Sequence, residues 1–260
     1  MHPMLNIAIK AARDASKIIL RSFDRLDRIT VTEKSRNEFV TEVDRASEQI
    51  IIETILKAYP NHSIMAEESG HIEGSEEYQW IIDPLDGTHN FIHGIPHFAI
   101  SIAIQARGRI EHGLVLDPIR HELFTASRGG GARLGDRRVR VSACGKMDQA
   151  LIGTGYPSQH DERLTRFYAA LEAIHPQASD LRCSGSAALD LAYLAAGRLD
   201  GYLEFSLKPW DIAAGALMVR EAGGIICEPN GGENYLQSGH IVAGTPKICK
   251  ALLQIIQPLP

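Results

Sequence analysis

One stretch of the sequence reads Trp80-Ile81-Ile82-Asp83-Pro84-Leu85-Asp86-Gly87-Thr88-His89-Asn90-Phe91. Its apolar run stops at two carboxylates, and apolar runs bounded by Pro and Gly are typical of buried strands. We therefore expect a strand that presents Asp83 and Asp86 at its exposed end. Gly87 lets the backbone approach a ligand closely, and a helix opened by Thr88 would turn free N–H groups toward an anion. The structural alternative is an Asp-capped turn, but the whole string favours a divalent metal and a phosphate.

Length and composition indicate an ordinary globular protein. The chain has 260 residues, 44% of them hydrophobic and 23% charged, which suffices for one large domain or two intimate halves. The net charge of -5 gives no global attraction to nucleic acid. No apolar stretch is long enough to span a membrane, and charged residues interrupt the apolar residues of the N-terminus. We expect a cytoplasmic protein with no membrane partner.

The four cysteines lie far apart in the sequence and form no C-x-x-C pair. This spacing argues against a zinc knuckle or a disulfide framework and suits a reducing cytosol. The sequence also shows no Ser–His pair or low-pKa cysteine motif that would act as a nucleophile. The cysteines are Cys144, Cys183, Cys227 and Cys249.

The N-terminal half begins with two predicted helices. Apolar residues recur at helical spacing from Met4 to Phe23. Thr41 opens the second helix, with Asp44 three residues later as in a capping box. For Asp44 the capping role and a role in chemistry both stay open. The predicted buried stripe of this helix is Ala46, Ile50, Ile51, Ile55 and Ala58.

Short strands and turns fill the rest of this half. Asn61 to Met65 predicts a strand that ends at the acidic turn Ala66-Glu67-Glu68-Ser69-Gly70. Antiparallel strands are predicted at Pro96–Ala106, Gly113–Leu116 and Glu122–Ala126. Arg128 to Arg138 is a glycine-rich basic hairpin that does not match a dinucleotide-binding loop. Its arginines are interpreted as a solvated face, with a partner-binding patch as the minority reading.

The second half mixes strands and helices without strict βαβ repetition. The pattern favours an α/β (α+β) layered sandwich with mixed sheets. We expect one domain over residues 1–260, with an α+β half at about 1–145 and an α/β half at about 146–260. Strands are predicted at Ala150–Gly153, Leu181–Cys183, Asp200–Phe205, Gly223–Cys227 and Ile241–Ala243, and helices at Arg163–Ile174, Gly185–Ala196, Trp210–Glu221 and Pro246–Ile256.

Five acids stand at the ends of predicted elements. Like charges brought together raise one another's pKa unless a cation neutralises them. Carboxylate oxygens select Mg²⁺ or a close relative, and two such ions roughly 3.5–4 Å apart can activate water and stabilise a leaving oxygen. Metal-activated water acting on a phosphate ester is therefore the leading hypothesis. The acids are Asp44, Glu67, Asp83, Asp86 and Asp211.

Three segments that contain these acids resemble the signatures of a known family. The segments Ala66-Glu67-Glu68-Ser69, Asp83-Pro84-Leu85-Asp86-Gly87-Thr88 and Trp210-Asp211-Ile212-Ala213-Ala214-Gly215 resemble, in order, the signatures of the inositol monophosphatase family. Lys34 and Phe39 to Asp44 resemble its N-terminal catalytic segment. The similarity runs end to end and is closest to the bacterial SuhB branch. It implies an αβαβα sandwich of the sugar-phosphatase type.

The resemblance assigns a role to each acid. Glu67, Asp83 and the Leu85 carbonyl would hold one Mg²⁺, and Asp83, Asp86 and Asp211 the second. A third, weaker ion would sit near Glu67, and Mn²⁺ would be a substitute. The catalytic residues would be Asp44, Thr88 and Glu67, with Asp44 and Thr88 orienting and deprotonating the attacking water.

The resemblance also implies a substrate site. The amides of Gly87 and Thr88 would cradle the phosphate, next to Asp86 and Asp211. Glu204 falls where the family contacts polyol hydroxyls. His89 departs from the Thr usual in this branch, and we expect it to alter polarity beside the phosphate. The same pocket would be lined by Gly185, Ser186 and Ala187.

These inferences lead to three hypotheses on function. The first is a lithium-inhibited, homodimeric Mg²⁺ phosphatase of myo-inositol 1-phosphate and related polyol or nucleoside monophosphates. The second is a regulatory role with RNA polymerase and Nus antitermination factors, known for some members of the branch, and both can coexist. The third is a bisphosphate phosphatase, acting on fructose bisphosphate or phosphoadenosine phosphate, which the string Thr88 to Phe91 disfavours.

Overall fold

The structure is a computed structural model that describes residues 2–35, 38–157 and 164–257. Its helices are α1 (Pro3–Phe23), α2 (Glu42–Ala58), α3 (Thr88–Ile92), α4 (Leu164–Ile174), α5 (Ala187–Ala195), α6 (Pro209–Glu221), α7 (Tyr235–Ser238) and α8 (Pro246–Ile256). Its strands are β1 (Val31–Ser35), β2 (Glu38–Thr41), β3 (His62–Ala66), β4 (Gly70–Ile72), β5 (Ser75–Asp86), β6 (Ala99–Ala106), β7 (Arg109–Asp117), β8 (Glu122–Ser127), β9 (Gly131–Leu134), β10 (Arg137–Val139), β11 (Leu151–Thr154), β12 (Asp180–Cys183), β13 (Gly201–Glu204), β14 (Ile225–Cys227) and β15 (Ile241–Gly244).

An eight-stranded sheet with the order β10-β9-β8-β7-β6-β5-β3-β4 dominates the N-terminal half. The strand of the opening motif, β5, pairs antiparallel with β6 and parallel with β3. Successive side chains of a strand point to opposite faces. Trp80 and Ile82 accordingly pack with α1 and α2 on one face, while Ile81 packs with α5 and α6 on the other.

A five-stranded sheet with the order β12-β11-β13-β15-β14 forms the second half. Its β11 pairs parallel with β12 and β13, whereas β15 pairs antiparallel with β13 and β14. Helices α5 and α6 share a core with both sheets, and α4 and α8 cover the outer face of the second sheet. The layers thus run α1/α2, sheet, α5/α6, sheet, α4/α8. This arrangement confirms the predicted αβαβα sandwich with mixed sheets.

Most predicted elements are confirmed, but the buried stripe of α2 is partly wrong. Ala46 and Ala58 are exposed and Ile50 is half-buried, whereas the polar residues Ser47 and Glu48 are buried. The reason is that this helix turns part of its inner face toward polar loops rather than toward the apolar sheet. The predicted start of α4 at Arg163 lies outside the described residues.

The structure describes all four cysteines and the lengths of the helices. All four cysteines are free thiols. The Sγ atoms of Cys227 and Cys249 nevertheless lie 3.9 Å apart, although the residues are distant in sequence. No helix within the described ranges is long and apolar enough to cross a membrane.

Candidate active site

Three carboxylates meet where β5 ends against the first turn of α6. Asp83 and Asp86 come from β5, and Asp211 comes from α6. The pairing of β5 with β6 shifts register between Asp83 and Asp86, where Pro84 lacks the N–H that a regular ladder needs. One oxygen of each carboxylate lies within 4.8 Å of the others. We call these three residues the acidic cluster.

Backbone and hydroxyl donors hold each carboxylate of the acidic cluster. The Leu85 N–H donates to Asp83 Oδ1 at 2.9 Å, and the Lys208 N–H donates to Asp211 Oδ2 at 2.8 Å. The Ser186 hydroxyl and the Ala188 N–H both donate to Asp86 Oδ2, at 2.5 and 2.8 Å. These bonds use one oxygen of each carboxylate, so the other oxygen can face a cation.

The electrostatics of the acidic cluster suit a hard divalent cation. Burial, followed by the charges of Glu67, Asp86 and Asp211, raises the pKa of Asp83 well above its usual value. Burial also raises the pKa of Asp86 to about 6, and burial with the Asp86 charge raises that of Asp211 to about 7. Mutually repelling oxygen donors without a soft ligand are the donor set that Mg²⁺ prefers. The residues present therefore fit the metal that the motifs imply.

Glu67 lies in the turn after β3 and is half-buried. It is not one of the three acids whose oxygens lie within 4.8 Å of one another. Its charge is nevertheless the neighbouring charge that raises the pKa of Asp83 most. Glu67 therefore borders the acidic cluster on the side of β3.

The raised pKa values predict how metal-free protein responds to pH. Asp86 and Asp211 titrate near 6 and 7 in the folded protein, against about 4 in an unfolded chain. Between the unfolded and the folded pKa values, the folded state binds more protons than the unfolded state. The free energy of unfolding therefore falls as pH rises through this range. We expect a loss on the order of 4 kcal/mol between about pH 5 and about pH 8. Thermal denaturation in a chelator measures this loss.

The matched control is the same pH series with saturating Mg²⁺, in which most of this loss should disappear. Histidines and other titrating groups away from the cluster contribute equally to both series, so the difference between them reports the acids. A metal-free midpoint that falls no more than the Mg²⁺ midpoint over this range would contradict the prediction.

Asp44 uses its two oxygens for two different tasks. Its Oδ2 accepts from the N–H and the hydroxyl of Thr41, at 2.8 and 2.5 Å, which completes the predicted capping box of α2. Its Oδ1 accepts from the Thr88 hydroxyl at 2.9 Å. The capping box confirms one of the two roles that the sequence leaves open for Asp44, and its role in chemistry stays a prediction. Lys34 and Phe39, from the same segment, have side chains outside the described part of the structure.

The Thr88 hydroxyl has one proton and two acceptors within reach. It lies 2.9 Å from Asp44 Oδ1 and 3.0 Å from the Leu85 carbonyl oxygen. Hydrogen bonds to ionised acceptors are the stronger kind, so an Asp44 carboxylate would accept the Thr88 hydrogen bond and leave the Leu85 carbonyl lone pairs available. Burial raises the pKa of Asp44, which brings this acid closer to the range of a general base.

Gly87 stands between β5 and α3 in a left-handed conformation, with φ of 95°. A Cβ there would lie 3.1 Å from the carbonyl oxygens of Gly185 and His97. Asn90 fastens the same junction, because its amide donates to His97 at 2.7 Å and to Ser184 at 2.8 Å. The residues that lead into α5 are thereby held against the start of α3; they are Gly185, Ser186 and Ala187, the first residue of α5. His89 lies exposed on α3.

Glu204 ends β13, and the charges of Asp211 and Asp86 in the acidic cluster act on it. Its side chain fits because the neighbouring residue on the chain after β11 is Gly155, where a Cβ would lie 2.1 Å from Glu204 Oε1. The Tyr202 hydroxyl donates to Glu204 Oε2. Burial, and further the charges of Asp211 and other acids, raises the pKa of Glu204 well above its usual value.

Sequence reasoning missed two buried acids near the site. Asp190 on α5 is buried, with one oxygen that has no hydrogen-bond partner. Burial and the Asp86 charge raise its pKa to about 8. Glu48 on α2 is also buried. A usable signal existed for both: Asp190 interrupts an apolar run four residues after Ser186, and Glu48 lies one helical turn after Asp44.

Comparisons with known proteins agree with this geometry. A model of the inositol monophosphatase family matches residues 1–258. The chain is 54% identical to the Nus factor SuhB of Pseudomonas aeruginosa, over 99% of this chain and 97% of that protein. The solved extragenic suppressor protein suhB from Bartonella henselae has a TM-score of 0.95 and 40% identity, covering 98% of this chain and 99% of that one. An inositol monophosphatase from Anabaena has a TM-score of 0.87 and 35% identity, covering 99% and 96%.

Proposed function

The chain belongs to the inositol monophosphatase family, and from that premise we propose that it is a Mg²⁺-dependent phosphomonoesterase of myo-inositol 1-phosphate and related polyol or nucleoside monophosphates. The observation that carries the proposal is the acidic cluster next to a hydrogen-bonded Asp44–Thr88 pair. An acid cluster alone would serve for metal binding, and the pair beside it adds a proton acceptor.

The metal-binding residues in this proposal fall into two sets that share Asp83. One comprises Glu67, Asp83 and the Leu85 carbonyl, and the other comprises the acidic cluster. Bound Mg²⁺ would supply Lewis-acid activation of water and neutralise phosphate charge. A third, weaker ion would lie near Glu67, with Mn²⁺ as a substitute and lithium as an inhibitor. The oxygen-only donors and their raised pKa values support these assignments.

The proton-handling residues in the proposal are Thr88 and Asp44. The Thr88 hydroxyl orients the attacking water and accepts its proton while passing its own to Asp44 Oδ1. Two contacts support this relay: the 2.9 Å bond from Thr88 to Asp44 Oδ1, and the fixed Asp44 Oδ2 in the capping box. The N–H groups of Gly87 and Thr88 would bind phosphate oxygens.

The substrate residues in the proposal come from β13 and from the start of α5. Glu204 accepts hydrogen bonds from polyol hydroxyls, and Gly185, Ser186 and Ala187 line the same space. Support comes from Gly155, whose missing side chain leaves room for Glu204. His89 would change the polarity near the phosphate without contributing a metal ligand, since hard-oxygen sites seldom use imidazole.

A substrate panel with purified protein tests the proposal. We expect hydrolysis of myo-inositol 1-phosphate that needs Mg²⁺, stops in a chelator and is inhibited by lithium. Faster hydrolysis of fructose bisphosphate or phosphoadenosine phosphate would move the assignment to the bisphosphate alternative. Absence of Mg²⁺-dependent release of phosphate from every substrate would refute the enzymatic proposal.

We propose a second function, association with RNA polymerase and Nus antitermination factors, because a 54% identical relative is a Nus factor. The basic hairpin, Arg128 to Arg138, is the candidate surface for it. Arg128 pairs with Glu111 at 3.3 Å, and Arg133 and Arg138 donate to backbone carbonyls of the hairpin. These bonds fix the arginine side chains against the hairpin, while Arg133 and Arg138 stay exposed to solvent.

The proposal includes a homodimer, and light scattering of the purified protein tests it.

A capture experiment separates the two functions. Polymerase capture should survive Asp86→Asn, which disables the metal site, and weaken with Arg137→Glu and Arg138→Glu. Loss of phosphatase activity with unchanged capture would support two independent functions. No capture by the wild-type protein would refute the second function.

A further inference from the structure

Glu48 is a buried acid on α2 that points at the turn carrying Glu67. Only 2% of Glu48 is exposed. Its Oε2 accepts from the Glu68 N–H at 2.8 Å, and its Oε1 accepts from the Ser69 N–H at 2.7 Å. The Ser69 hydroxyl donates to the same Oε1. One carboxylate therefore holds two consecutive amides and a hydroxyl of a single turn.

The turn is fixed from its other side as well. The Glu67 N–H donates to the Ile82 carbonyl at 3.2 Å, next to Asp83 on β5. The turn joins β3 to β4, which begins at Gly70 with φ of 74°. Without Glu48, the N–H of the half-buried Glu68 and the N–H of the exposed Ser69 would lack this acceptor, and amides that lose their acceptor rearrange or bind water. Glu48 therefore limits the directions that the Glu67 side chain can take.

Helix α2 connects this contact to the other end of the site. Asp44 and Glu48 are one helical turn apart on the same buried face, and residues at this spacing lie above one another. Asp44 contacts Thr88, and Glu48 contacts the turn of Glu67. The rigid helix thus sets the separation between the proton acceptor and the Glu67 end of the metal site.

We infer that Glu48 is a positioning residue that orients Glu67 for metal binding, an inference that rests on the proposed metal-dependent function. Glu48 is not itself a ligand, because both of its oxygens are occupied by the turn. Partners that orient metal ligands change metal affinity by roughly 10–100-fold when they are replaced.

The test compares Glu48→Gln with the wild-type protein. The glutamine oxygen can still accept from Ser69, but its NH₂ group then faces the Glu68 N–H, donor against donor. We expect the Mn²⁺ dissociation constant, measured by electron paramagnetic resonance of free Mn²⁺, to rise about tenfold. The Mg²⁺ concentration for half-maximal activity should rise similarly, while kcat at saturating Mg²⁺ stays within about threefold of wild type.

Two further variants keep the test decisive. Glu53→Gln is the matched control, because Glu53 is an exposed acid on the same helix that contacts Gln49 rather than the turn. It should leave Mn²⁺ affinity unchanged. Ser69→Ala removes only the hydroxyl bond, keeps both amide bonds and should weaken Mn²⁺ binding by less than Glu48→Gln does. It also provides a readout if Glu48→Gln does not fold.

The outcomes distinguish this inference from the proposed function. A wild-type protein that neither binds Mn²⁺ nor hydrolyses phosphate esters with Mg²⁺ would refute the proposed function itself. A wild-type protein that does both, with unchanged Mn²⁺ affinity in folded Glu48→Gln and Ser69→Ala, would overturn the inference alone. A lower thermal midpoint with unchanged affinity would assign Glu48 a structural role and would likewise overturn it.

Discussion

Asp83→Asn is expected to lower the Mg²⁺-dependent phosphatase rate by roughly 10³-fold and also to raise the thermal midpoint of the metal-free protein. The first effect follows because Asp83 belongs to both proposed ligand sets. The second follows because the charges of three other acids act on Asp83 in the fold. Asparagine keeps the oxygen that accepts from the Leu85 N–H, so one repelling charge is removed without loss of that bond.

The measurement pairs a kinetic assay with thermal denaturation in a chelator. The matched control is Asp117→Asn, because Asp117 is fully buried outside the site and pairs with Arg120 at 3.0 Å. Removal of that charge leaves a cation without its partner and should lower the thermal midpoint, opposite in sign to Asp83→Asn. A stable, fully active Asp83→Asn enzyme would exclude Asp83 as a metal ligand. A lower metal-free midpoint would contradict the repulsion argument.

Local patterns made part of this site predictable from the sequence. The capping box of Thr41 and Asp44 spans three residues, and the junction from β5 to α3 is marked by Pro84 and Gly87. Such features depend on neighbours along the chain, so the spacing alone suffices to predict them. The mixed α/β sandwich was predictable for a similar reason. The spacing of apolar residues distinguishes a helix from a strand within each segment, without reference to the rest of the chain.

Contacts between distant segments were not predictable from spacing. Ser186 donates to Asp86 across 100 positions of sequence, and no local pattern brings these residues together. Buried polar residues were missed for a related reason. Helical periodicity assigns buried positions by apolarity, so Glu48 and Ser47 were passed over in favour of Ala46 and Ala58. Where a helix faces a functional loop, polarity on the buried side is itself the signal.

Small residues explain how Asp211 reaches the acidic cluster. Helix α6 lies between the two sheets, where Gly113 of β7 would place a Cβ 2.9 Å from the Ala214 carbonyl oxygen. A Cβ on Gly215 would lie 2.5 Å from Cβ of Leu191 on α5. The run Ala213-Ala214-Gly215 therefore permits close packing on both sides. This packing sets the position of the first turn of α6, and with it the carboxylate of Asp211.

Asp44→Asn is expected to lower kcat by about 10²–10⁴-fold, the usual contribution of a general base, while metal affinity stays near wild type. The amide oxygen can replace Oδ2 in the capping box, where it accepts from Thr41. Its NH₂ group then faces the Thr88 hydroxyl and cannot accept a proton from it. The variant therefore removes the proposed proton acceptor and keeps the helix cap.

Thr41→Ala separates the two tasks of Asp44 in the opposite direction. It removes the hydroxyl that caps α2, and loss of such a cap costs about 1 kcal/mol of stability. The Thr88 bond to Asp44 Oδ1 stays, so kcat should change by less than about tenfold. Steady-state kinetics, Mn²⁺ binding and thermal denaturation of both variants give the comparison. If Asp44→Asn retained kcat, or lost Mn²⁺ affinity together with it, Asp44 would not be the proton acceptor.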